Sequence, residues 1–124
     1  MIMKKSLFIL ALLLWNIHSQ AQQIGHIETT RSWYYIYDQT GKKTKTLSTS
    51  IGELQAFSAS FFIVKTGSWY HIYNANGNKS KTLSASSVGT VLSASGDTFT
   101  SQLGSWIYTW TKEGKKINTR AAKQ

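Results

Sequence analysis

The sequence predicts an all-β chain, a three-repeat antiparallel meander of about eleven strands. Three observations carry this. A unit of aromatic residues, a Gly turn and a Lys/Thr run recurs three times, with Trp33, Trp69 and Trp106 spaced 36 and 37 residues apart. Inside each unit the aromatic and β-branched residues alternate at period two, the pattern of a strand. Pro is absent, charged residues are only 15%, and aromatics make up 13% of the 124 residues, a composition that favours strands and a packed core.

Taken in order, the chain opens with Lys4 and Lys5, then an apolar run over Ser6–Trp15 that is too short to span a bilayer. Ser19-Gln20-Ala21 places small residues where a signal peptidase reads them. Residues 1–21 are therefore expected to be a secretory signal peptide, cleaved between Ala21 and Gln22. No Cys is present, which excludes a lipoprotein anchor, a disulfide framework and a thiolate site. The expected product is a soluble periplasmic or extracellular domain over 22–124, with units 22–50, 51–87 and 88–124 and no later membrane span.

Gly25–Thr30 aligns with Phe61–Thr66, so the first unit begins at its second strand. Trp33–Tyr37 is the next strand, Asp38–Gly41 a turn, and Lys43–Leu47 the return. The second unit adds Glu53–Ser58 and Phe61–Lys65 before Trp69–Tyr73, the turn Asn74–Gly77 and the return Lys79–Leu83. The third repeats this plan through Trp106–Trp110, Thr111–Gly114 and Lys116–Arg120. Each turn has Gly where positive φ is needed. A full unit has about the length of a propeller blade, which repeats at roughly 40–45 residues. Closed propellers need about four or more blades. Three units leave an open stack of blade-like sheets, a rolled barrel-like meander, a trefoil or part of a homo-oligomeric ring.

The run Trp-Tyr-x-Ile-Tyr-[Asp/Asn]-x-x-Gly-x-Lys resembles the WG-repeat pattern, and the whole is similar to short exported bacterial proteins of tandem aromatic–Gly β-repeats. The Gly that follows Trp in that family is here Tyr34, Tyr70 and Ile107. The resemblance implies an architecture and no chemistry.

Catalytic patterns are sparse. The five acids Glu28, Asp38, Glu53, Asp97 and Glu113 show no sequence pairing of the glycosidase kind. There is no nucleophile elbow and no Gly-rich phosphate loop. His26 and His71 take positions held by aromatics in the other units, so each is expected to be a partly buried ring with one hydrogen bond. No metal or cofactor is expected.

Lys43, Lys45, Lys79, Lys81, Lys116 and Arg120 recur on the last strand of each unit. Period two would put Lys43 and Lys45 on one side of it, and Lys79 and Lys81 likewise. Such a basic ladder protects an exposed edge, or it attracts an anionic envelope polymer or an acidic protein. Export argues against nucleic acid. Trp33, Trp69, Trp106 and Trp110 are expected to pack in the core; if exposed, they would offer a surface to sugars or a protein partner. The sequence therefore favours an exported, non-enzymatic binding or protein-interaction module over two alternatives, an envelope-polymer hydrolase using Asp97 or Glu53 and a structural or inhibitory protein.

Overall fold

A computed structural model describes residues 23–123; the expected signal peptide and its cleavage site lie outside them. The described chain holds eleven strands in three separate antiparallel sheets. The first sheet is β1 (Ile24–Thr29), β2 (Trp33–Asp38) and β3 (Lys43–Ser48). The second is β4 (Glu53–Phe57), β5 (Phe61–Thr66), β6 (Trp69–Asn74) and β7 (Lys79–Ser84). The third is β8 (Thr90–Ser95), β9 (Thr98–Leu103), β10 (Trp106–Thr111) and β11 (Lys116–Ala121). Every strand pairs with its neighbour in sequence, and no sheet closes on itself.

Helix among the described residues amounts to two links. A 3-10 turn, Thr49–Ile51, joins the first two sheets, and the single turn α1 (Ala85–Val88) joins the last two. Ser48 and Ser84 cap them, each hydroxyl accepting from the amide two residues on.

The hairpin turns share one solution built from different residues. Asp38 accepts from the Thr40 and Lys42 amides at 2.9 and 3.0 Å. The Asn74 side chain accepts from Asn78 at 3.1 Å, and the Thr111 hydroxyl accepts from Lys115 at 3.2 Å. Side-chain oxygens that mimic a backbone acceptor favour such turns.

The second sheet lies between the other two. Along β5, Phe61, Phe62, Ile63 and Val64 are all at most 1% exposed, because both faces are covered. Phe62 and Val64 pack with Ile24, Ile27, Tyr34 and Ile36 of the first sheet. Phe61 and Ile63, with Tyr70 and Ile72, pack with Phe99 and Trp110 of the third and with Val88 of the link. Hydroxyls tie each of the first two sheets to the link that leaves it: Tyr34 donates to the Gly52 carbonyl at 2.6 Å and Tyr70 to that of Gly89 at 2.6 Å.

One expectation about the outer strands is overturned. A β-bulge at Thr44 pairs Lys43 with Tyr37 and Lys45 with Ile36, and one at Ser80 pairs Lys79 with Tyr73 and Lys81 with Ile72. The inserted residue reverses the alternation, so the two lysines of each strand stand on opposite faces. The Thr44 and Ser80 hydroxyls donate to the Ile36 and Ile72 carbonyls at 3.3 and 3.1 Å.

Candidate functional site

The two ends of the stacked strands differ in chemistry. At one end lie the starts of β2, β6 and β10 together with the links between sheets. The amides of Thr49, Ala85 and Ala122 donate to the carbonyls of Ser32, Ser68 and Ser105 at 3.0, 2.8 and 2.8 Å, which sets the three units in equivalent geometry there. Trp33, Trp69 and Trp106 are the first strand residues at this end, and they are 46%, 51% and 49% exposed.

The expectation of core packing therefore fails for these three. Each indole sits at the strand end, past the level at which Phe62, Tyr73 and Phe99 fill the space between sheets. Trp110 does lie in the core: it is 7% exposed, stacks on Phe99 with centroids 6.1 Å apart, and donates its indole N–H to Ser101 at 2.9 Å. Around the exposed indoles the surface is rich in hydroxyls. Ser48 and Ser50 bond at 2.8 Å and Ser84 and Ser86 at 2.7 Å, in the links between successive Trp residues. The Thr49 hydroxyl donates to the Arg31 carbonyl at 3.0 Å, beside Trp33.

Most of the recurring lysines gather toward the opposite, hairpin end, and they do not form the single-faced ladder. Lys43 lies over the Tyr35 ring at 4.7 Å and Lys116 over that of Tyr108 at 4.0 Å. Lys79 stands near His71, in the equivalent place. Burial, with the Lys79 ammonium as the smaller cause, lowers the His71 pKa from its ordinary value. Lys45 and Lys81 point the other way. Their aliphatic stems lie against Gly77 and Gly114 in the turns of the following units, so they cover the next sheet's turn with their charged heads in water. Arg120 is exposed on β11 toward the Trp end, paired in register with Ile107.

The histidines divide. The His71 ring is bonded on both sides, to the Thr66 hydroxyl at 2.7 Å and that of Thr82 at 3.1 Å, one bond more than expected. His26 is exposed, contrary to expectation, because no sheet covers the outer face of the first. It stacks against Tyr37 at 6.3 Å and lines an open groove of about 400 Å³ with Gly25, Glu28, Tyr37, Asp38, Gln39 and Gly41.

The acids are dispersed. Asp97 accepts from the Ser60 hydroxyl at 2.7 Å and pairs with Lys112 at 3.4 Å. The Ser60 hydrogen bond first, and then Lys112, hold its carboxyl below the ordinary value. Asp38 is held low chiefly by the Thr40 hydroxyl. Glu53 opens β4 at the Trp end, in register with Lys65, whereas Asp97 stands in the β8–β9 turn at the other. The two acids considered for hydrolysis thus lie at opposite ends of the strands. Among the described residues there is no group of three His, Asp or Glu side chains placed to hold a metal ion, and no helix long and apolar enough to cross a membrane.

One signal in the sequence does bear on the exposed indoles. In each unit Trp follows directly on a short polar turn, Arg31-Ser32, Gly67-Ser68 or Gly104-Ser105, and residues at strand ends are covered on fewer sides. Compared with known proteins, the chain matches no family model and no curated protein.

Proposed function

We propose that the chain is an exported, non-catalytic binding module of blade-like β-sheets that engages a partner of the cell envelope or exterior through its Trp-bearing end. Export rests on the signal-peptide pattern of residues 1–21. The observation that carries the binding reading is the matched exposure of Trp33, Trp69 and Trp106. An indole buries a large apolar area when covered, and recognition surfaces favour Trp for that reason. Three of them half exposed at equivalent positions form a repeated apolar surface with no internal partner. The dispersion of Asp97 and Glu53 weighs against the hydrolase alternative.

The test is retention on envelope fractions at low and high salt. The proteins compared are the wild type, a Trp33→Ala/Trp69→Ala/Trp106→Ala variant and a Lys43→Glu/Lys45→Glu/Lys79→Glu/Lys81→Glu variant, each checked for its β-sheet circular dichroism. Retention that is lost with the indoles and survives both salt and charge reversal is the expected result. Retention that follows the lysines and falls steeply with salt would move the site to the hairpin end and to an anionic polymer.

A further inference from the structure

We infer that the Trp end takes one class of ligand, a linear β-1,4-linked glycan laid across the edges of all three sheets; this rests on the binding reading above and specifies its ligand. Four observations converge. First, the indoles repeat once per sheet, at the same strand position and near-identical exposure. Sheets packed face to face lie about 10 Å apart, which is close to the length of one disaccharide in an extended β-linked chain. A ring under every second sugar is the register the proposal requires.

Second, the chemistry between the rings is neutral and hydrogen-bonding. Ser48, Thr49 and Ser50 lie between Trp33 and Trp69, and Ser84, Ser86 and Ser87 between Trp69 and Trp106. A pyranose with equatorial substituents has an apolar C–H face and a rim of hydroxyls. The face packs on an indole, and the rim finds hydroxyl partners on either side.

Third, charges are fewer at this end, where Arg31, Glu53, Lys65, Arg120 and Lys123 stand, than at the other, which holds Lys42, Lys43, Lys79, Lys112, Lys115 and Lys116 with Asp38, Asp97 and Glu113. Fourth, the surface is set on a rigid base. The carbonyls of Ser32, Ser68 and Ser105 are hydrogen-bonded to the chain leaving the same sheet, and the Tyr34 and Tyr70 hydroxyls fasten the links beneath. Little ordering is then required on binding.

The decisive experiment is a fluorescence titration of the mature chain with cello-oligosaccharides and chitin oligosaccharides of increasing length. Affinity is expected to rise about tenfold or more once the chain is long enough to reach a second indole, and again at the third, because the later contacts are made within one complex. Trp69→Ala should abolish the step from one ring to two, and Trp69→Phe should restore part of it, whereas Trp106→Ala should remove only the final step. Affinity independent of length would overturn the glycan. So would a failure of all these sugars to bind while envelope retention still depends on the indoles, an outcome that leaves the binding module standing with a protein as its partner. Retention indifferent to the indoles would instead overturn the reading beneath.

Discussion

Ser101 and Trp110 show how a single buried polar pair fixes a position in the core. Ser101 is 0% exposed, and its hydroxyl is met by the Trp110 indole N–H at 2.9 Å. Trp110→Phe keeps a ring against Phe99 and removes the donor. A buried group left without its partner costs about 1–3 kcal/mol, and a smaller ring adds a void. Trp110→Phe should therefore lower stability by at least that much in denaturant unfolding, and a Ser101→Ala/Trp110→Phe double variant should lose less than the two single losses combined. The same comparison explains what the sequence conveyed about tryptophan. Trp110 and Trp106 sit on one strand and one face, and alternation alone treats them alike. Their difference is position along the strand relative to the covering sheet, which alternation does not encode and only the polar turn before Trp106 signals.

At the scale of the strand, the sequence predicts the outermost element of each unit as a return strand, which it is, and as a regular one, which it is not. Lys-Thr-Lys-Thr alternates perfectly as text, yet Thr44 and Ser80 are the inserted residues of bulges. The bulge lets one lysine lie over an aromatic ring of its own sheet, as Lys43 does over Tyr35, while the next lies along the following sheet's turn; β11 keeps the same bulge, at Ile117, with no sheet beyond it. The hydroxyls of Thr44 and Ser80 occupy the carbonyls that the irregular pairing would otherwise leave open. The turn against which the second lysine packs must be glycine for two reasons. Gly114 has φ +84°, and a Cβ there would stand 2.9 Å from Lys81 Cγ and 3.1 Å from Leu83 Cδ2; Gly41 has φ +89° with open space around it. Gly41→Ala thus reports the backbone cost alone, about 1 kcal/mol or more. Gly114→Ala should cost more than Gly41→Ala in the same unfolding assay. Equal losses would mean that the lysine stem contributes nothing to the contact between sheets.

For the whole molecule, the departures of the end units from the repeat fall on the faces that lack a neighbour. Phe61, Ile63 and Ile72 of the middle unit become Thr98, Thr100 and Thr109 in the third, on the side turned away from the second sheet. Tyr70 and Lys81, which reach the next unit, become Ile107 and Asn118. In the first unit Phe62 and Val64 become His26 and Glu28, on the opposite side. Polar end units are what a stacked repeat array requires. The repeat, the strand count and the incomplete first unit were legible because they are patterns within the chain. The order of sheets and the direction each face looks were also written in these substitutions, but they become readable only once the middle sheet is known to be covered twice. Removing residues 88–124 should uncover Phe61, Ile63 and Ile72 at once. The shortened chain is expected to aggregate or elute as an associated species in size-exclusion chromatography, and a well-behaved monomer would show that the third sheet is dispensable.

The pairing of every strand with its neighbour in sequence also bears on the timing of folding. Loops to be closed are short, so each hairpin can form early, and topologies rich in local contacts fold fast for their class. Yet the first sheet by itself leaves its apolar side open to water. That side, Ile24, Ile27, Tyr34 and Ile36, is sheltered by Phe62 and Val64, which come later in the chain. Docking of the second sheet on the first is then the step expected to be slow, and the third sheet adds to the other face of the second. Because the sheets follow one another along the chain, no early segment has to be held open for a late one to thread between.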